Sequence, residues 1–228
     1  MSVNFPDRYH LTRTLNQRFA RQNLAQLIHT NSRFEGVTTS FAQTEAILAG
    51  QAVSGVSAHD RDVIILLQKG WQLVLNSTEP ASLEFAKRIN ALVASKDALF
   101  PGELRTGRGS VGLPNGDEFV PSVVDSAKEQ AYWEQLIQDP DLSTTDKAIT
   151  LMYHLMRGQL FWDGNKRTAT LVANKLMIDS GVGLINLPLA HWDEWNGLLA
   201  DYYQTGEMQA IKRWTYDEAV HGTRLFKD

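Results

Sequence analysis

The densest chemistry in the chain lies in Gly158-Gln159-Leu160-Phe161-Trp162-Asp163-Gly164-Asn165-Lys166-Arg167. The Asp-Gly-Asn turn leads into a stretch of helical periodicity, so a loop ends there and a helix begins. Backbone amides in the first turn of a helix lack partners within it and carry a partial positive charge. Glycine lets a ligand approach that backbone closely, and Lys166 and Arg167 add two full charges. The combination suits a phosphate-like anion, for which Gly164, Asn165, Lys166 and Arg167 are the candidate ligands. Asp163 can hold a divalent cation such as Mg²⁺ against the same phosphates. Read alone, the string fits an aspartate capping a helix beside two solvated cations better than it fits such a site. Both readings stay open on these residues.

Helices must position this loop. Apolar residues at helical spacing predict one-sided stripes over 9–29, a buried helix over 58–76, and helices over 81–94, 123–138, 144–157, about 164–180, 189–203 and 206–221. Ser40 stands three residues before Gln43, a capping-box spacing that opens a short helix through Leu48. The stretch from Phe100 to Ser122 is different. It is rich in glycine and proline, with β-prone pieces at Ser110-Val111 and Glu118-Phe119-Val120 around Leu113-Pro114-Asn115-Gly116-Asp117, which is turn chemistry. The fold class expected is mainly all-α, a helical bundle carrying a small β-hairpin flap.

Composition narrows the chemistry. The 228 residues hold 22 Lys+Arg against 26 Asp+Glu, a net charge of −4, which disfavours a nucleic-acid partner held by counterion release. With no cysteine, disulfides, thiolate metal sites and thiol nucleophiles are excluded. The first ten residues are too polar for a signal peptide, and the apolar run Val63-Ile64-Ile65-Leu66-Leu67 is far short of the ~20 residues that cross a bilayer. The expectation is a cytoplasmic protein without a membrane partner. The basic pairs Lys87-Arg88 and Lys212-Arg213 read as solvated helix faces. His154 reads as a structural or surface histidine, and Trp162 as a wall of the pocket beside the loop.

Phe161, Asp163, Gly164, Asn165, Lys166 and Arg167 match in register the motif H-x-F-x-[D/E]-[G/A]-N-[G/K]-R, so the chain resembles the Fic (Fido) family, which includes the Doc-type toxins. Asn31-Ser32-Arg33-Phe34-Glu35-Gly36 is similar to that family's inhibitory motif [S/T]-x-x-x-E-[G/N], and about 100–122 is similar to its flap. The resemblance spans roughly residues 30–205. It implies a Fic domain over 31–228 behind a helical extension over 1–30, with the active-site loop at 159–167. It also implies ATP and Mg²⁺ as cofactors, AMP transfer to a hydroxyl of a target protein docked along the flap by strand addition, and leaves a homo-oligomer open. By the same resemblance Asp163 holds Mg²⁺, the Gly164-Asn165 turn cradles phosphates, Arg167 neutralises them and Phe161 anchors the loop in the core.

The chain departs from the family at informative positions. The motif histidine, which takes the proton from the attacking hydroxyl, is Gln159, and an amide has no usable protonation equilibrium. Loss of a general base typically costs ~10²–10⁴-fold in rate. The family's proline after it is Leu160. The second arginine of AMP-transferring members is Thr170, so an inhibitory Glu35 has no second arginine to pair with and is left with Arg167, Lys166 or a capping role. The Lys166-Arg167-Thr168-Ala169 run is closer to the Doc-type branch, whose members act as kinases. The expectation is therefore an ATP-binding Fic-fold protein with impaired or absent transfer. The alternatives are an active AMP- or phosphoryl-transferase that manages without the histidine, or a non-catalytic scaffold.

Overall fold

Serine hydroxyls start several of the helices. In the computed structural model of the chain, which describes residues 5–113 and 116–223, Ser57, Ser82 and Ser143 accept from the backbone N–H three residues on, at 3.0, 3.1 and 3.0 Å. They open α4 (Ala58–Asn76), α5 (Leu83–Val93) and α7 (Thr144–Gly158). Each such cap is worth about 1 kcal/mol. The capping box forms as the spacing predicts, with Ser40 and Gln43 exchanging bonds of 3.2 and 2.9 Å at the start of α3 (Phe41–Leu48).

The remaining helices are α1 (Arg13–Gln22), α2 (Leu24–Ser32), α6 (Ser126–Gln138), α8 (Asn165–Ser180), α9 (Trp192–Thr205) and α10 (Gln209–Trp214). A 3₁₀ turn, Arg33–Glu35, follows α2. Helix α8 is buried along nearly its whole length and packs against α7, α5, α4 and α1. Its Ala169, Val172 and Ala173 meet a core that includes Ile149, Met152 and Met156 of α7 and Ile89 of α5. Buried on every side, α8 needs no polar face, and its N-terminus is fixed by the whole bundle.

The flap forms as an antiparallel pair, β1 (Val111–Gly112) with β2 (Glu118–Phe119), in the register Val111↔Phe119 and Gly112↔Glu118. Of the turn residues, Pro114 and Asn115 lie outside the described residues; Leu113 N–H donates to the Asp117 carbonyl at 2.8 Å. The ring of Phe119 stacks on Tyr203 of α9, with centroids 5.2 Å apart, so the base of the flap is clamped to the bundle.

Three sequence expectations are corrected. The stripe over 9–29 is two helices broken at Asn23, whose side chain donates to the Phe19 carbonyl at 2.8 Å and competes with helix continuation. The stretch 206–221 is not one helix: after α10 it makes a π turn and then β4 (Val220–His221), which pairs antiparallel with β3 (Leu184–Ile185). Lys212 is buried, not solvated, with its ammonium bonded to Asp146 at 2.5 Å and Thr150 at 2.7 Å. Among the described residues no helix is long and apolar enough to cross a membrane.

Candidate functional site

The loop from α7 to α8 is built by its own side chains. Gln159 caps α7 at φ 47°, the one non-glycine residue with positive φ among the described residues. Such a conformation is uncommon outside glycine and needs its surroundings to hold it. Here its amide nitrogen donates to the Met156 carbonyl at 2.7 Å and its amide oxygen accepts from Asn165 Nδ2 at 3.1 Å. Asn165 staples the loop further, donating to the Phe161 carbonyl and accepting from the Phe161 N–H, both at 2.9 Å. Phe161 is buried and bridges Leu104 of the flap base, where Arg105 N–H donates to the Leu160 carbonyl at 2.8 Å.

Gly164 turns the chain into α8 at φ 71°, and a Cβ there would sit 2.8 Å from the Ala94 Cβ. Only glycine fits both the angle and the space. Behind it, the wholly buried Asn90 of α5 donates to the Asp163 carbonyl (2.8 Å) and the Thr168 hydroxyl (3.0 Å) and accepts from Gly102 N–H (2.9 Å). One amide thus joins the loop, the first turn of α8 and the start of the flap. Asp163 does not act as the cap residue of α8, which is Gly164; its carboxylate accepts from Gly164 N–H and is 45% exposed.

The charges gather at this helix start. Arg167 is fully buried and meets three carboxylates: Glu35 Oε1 at 2.7 Å from Nε, Asp97 Oδ2 at 2.9 Å from Nη1 and Asp163 Oδ1 at 3.5 Å from Nη2. The N–H bonds do not point along the Glu35 and Asp97 contacts, so these are close charge contacts rather than directed hydrogen bonds. Nη1 also donates to the Val93 carbonyl. Glu35 therefore reaches Arg167, one of the partners left to it by the sequence. Burial raises the Glu35 carboxyl above its ordinary range, with Arg167 opposing; burial lowers the Lys166 ammonium, with Glu35 and Asp163 opposing.

An open cleft of about 260 Å³ faces this cluster, lined by Phe34 and Glu35 of the 3₁₀ turn, Ser110 and Val111 of the flap, and Gln159 with Trp162–Lys166. That is just short of the roughly 300–1,000 Å³ of small-molecule sites. The structure thus brings Gln159, Asp163, Gly164, Asn165 and Lys166 to one cleft with Glu35, and Trp162 walls it as expected. Arg167, expected to face phosphates, lies beneath Glu35 and does not line it. Asn165 lines it, but its side chain is committed to the loop. Thr170 is buried and returns its hydroxyl to the Lys166 carbonyl at 3.0 Å, away from the cleft. Asn31 is buried in α2, accepting from the Trp71 indole at 3.2 Å. His154 stacks on Tyr132 and pairs with Glu129 at 2.7 Å, a structural contact of α6 with α7.

Asn90, Asp97 and Arg105 carry this site without having been singled out in the sequence. Arg105 is buried and donates to the carbonyls of Gln159 (3.0 Å), Ser122 (2.8 Å) and Gly107, tying both ends of the flap to the loop. Desolvation lowers its pKa. A buried polar residue on an apolar helix face, such as Asn90, is the one signal that was readable beforehand.

Known proteins resemble the chain in sequence and in fold. Residues 80–177 match the Fic/DOC family. Protein adenylyltransferase fic-1 of Caenorhabditis elegans is 27% identical over 185 residues, 76% of this chain and 35% of its own length; the chain spans about a third of the curated relatives it matches. A Fic domain containing signaling protein from Bacteroides thetaiotaomicron superposes with a TM-score of 0.76 at 17% identity, covering 91% of this chain and 86% of that one. BepC from Bartonella tribocorum, solved with bound AMPPNP, has a TM-score of 0.51 at 16% identity, covering 72% of this chain and 85% of its own. Residues 80–177 are thus similar to the Fic/DOC family, and the chain shares the fold of these solved structures.

Proposed function

We propose that the chain binds ATP with Mg²⁺ in the cleft at the start of α8 and transfers little or none of it. The observation that carries this reading is the helix start itself. Gly164, Asn165 and Lys166 line the cleft where α8 begins, and the residue beside them, Gln159, has both polar side-chain atoms tied to α7 and to Asn165. An anion site is thus built next to a position that cannot accept a proton. The adenylyltransferase name of a relative and the AMPPNP bound to BepC support a nucleotide as the anion.

The residues present fit such a ligand. The half-exposed Asp163 would hold Mg²⁺, which would neutralise phosphate charge; Lys166 and the first amides of α8 would bind phosphate oxygens. Glu35 holds Arg167 away from that work and acts as the brake on the site. A target protein would dock along the flap, next to Val111 at the cleft wall. The test is calorimetry of Mg·ATP with the wild type and Lys166→Ala. Binding that weakens about tenfold or more in the variant is expected from loss of a charged contact. No binding by the wild type, or equal binding by the variant, would refute the reading.

A further inference from the structure

Two of the three carboxylates around Arg167 line the cleft, and one does not. Glu35 and Asp163 are cleft residues, and they touch Nε and Nη2 of the guanidinium. Asp97 and the Val93 carbonyl belong to the C-terminal end of α5 and the turn after it; neither lines the cleft, and both touch Nη1. The guanidinium is therefore gripped from behind at Nη1, while its Nε–Nη2 edge carries the contacts to the two cleft acids. That edge is one of the planar forks arginine uses to take two oxygens of a carboxylate or phosphate.

We infer that Asp97 is a positioning residue, holding Arg167 so that its Nε–Nη2 fork can take phosphate oxygens when Glu35 withdraws. This rests on the nucleotide reading above. In this structure the Glu35 carboxylate packs against that edge, off the line of the Nε–H bond, and covers it from the cleft. Three features support the assignment. Arg167 is wholly buried, so its charge needs a partner in both states of the site, and Asp97 is the partner that a ligand in the cleft does not displace. The Asp97 side chain is only 17% exposed and its Oδ2 is buried, which keeps water from screening the contact. Finally, α5 also carries Asn90, so the helix that sets the loop backbone sets the arginine as well.

The two acids accordingly have opposite effects although both touch the same guanidinium. Without Glu35 the fork is released toward the cleft. Without Asp97 the buried charge has Glu35 as its stronger remaining partner, which tightens the brake and loosens the aim. A purely structural Asp97 would lower stability without this opposition.

The test is Mg·ATP calorimetry on the full chain for wild type, Glu35→Gln, Asp97→Asn and the double variant, with the Arg167 Nε–H signal followed by ¹⁵N NMR. Glu35→Gln is expected to bind about tenfold tighter than wild type, and the double variant about tenfold weaker than Glu35→Gln. The Arg167 signal should move with Mg·ATP in Glu35→Gln and not in the double variant. Asp97→Glu in the Glu35→Gln background keeps the charge and should recover the affinity. It also serves as the deciding variant if Asp97→Asn does not fold, since a folded Asp97→Glu chain without recovered affinity overturns the inference. Equal binding by Glu35→Gln and the folded double variant overturns it alone. Absence of binding in wild type and Glu35→Gln alike removes the nucleotide reading, and this inference with it.

Discussion

Replacing Gly164 by alanine perturbs the site at the point where loop becomes helix. The residue sits at φ 71°, where a side chain costs roughly 1–2 kcal/mol. The new Cβ would lie 2.8 Å from Ala94 Cβ and 3.3 Å from Asn90 Nδ2. Ala94 caps α5 and has no flexible end to swing away, so α5 must shift, and overpacking of this kind costs about 1–3 kcal/mol. The sum is about 2–5 kcal/mol, a large part of the ~5–15 kcal/mol of a typical domain. Urea unfolding followed by tryptophan fluorescence measures it, with an unchanged m-value confirming that the same surface is exposed. Gly36→Ala supplies the control. Gly36 has the same φ, 71°, with nothing within 4 Å of the added Cβ, so only the ~1–2 kcal/mol of backbone strain applies. A Gly164→Ala loss no greater than that of Gly36→Ala would refute the claim that α5 backs the helix start this closely.

Other outcomes follow from the same contacts. Asn90→Ala deletes three hydrogen bonds in a buried position and should cost about 3 kcal/mol, with faster amide exchange at Gly102, its donor to Asn90; unchanged exchange there would count against the amide as the link from loop to flap. Glu35 has its pKa raised by burial, so its proton is held more tightly in the folded chain, and the fold loses stability as pH rises from the ordinary carboxylate range through the raised value. Protonation also weakens its grip on Arg167. Mg·ATP affinity of the wild type, taken as a ratio to Glu35→Gln at each pH, should therefore rise as pH falls through the raised Glu35 value toward the ordinary carboxylate range; a flat ratio would rule out Glu35 as the titrating brake.

Much of this site was legible because its chemistry is local. The capping serines, the buried helix 58–76, the hairpin and the run Phe161–Arg167 are each set by residues within a few positions of one another. The parts that were not legible are joined across the chain. Asn90 meets Asp163, 73 positions away, and Arg105 meets Gln159, 54 away. Strands β3 and β4 have two residues each, too short for a period to show, and form through backbone pairing with distant partners. Lys212 read as solvated because nothing near it in sequence announces Asp146. Arg167 was identified as a phosphate ligand by its position in the motif, but its burial beneath Glu35 and Asp97 depends on two turns that the motif does not contain.

The proposed function is that of a nucleotide site without a base. Incubating the wild type, Glu35→Gln and Glu35→Gln/Gln159→His with Mg·ATP labelled at the α- or γ-phosphate, in lysate, tests it most directly. Histidine is among the residues that tolerate the left-handed backbone at position 159. All three chains should bind nucleotide, the first two should yield no labelled protein, and the third should label at a rate at least about 10²-fold higher, as AMP from the α-position. Wild-type labelling as fast as that of the histidine variant would contradict it.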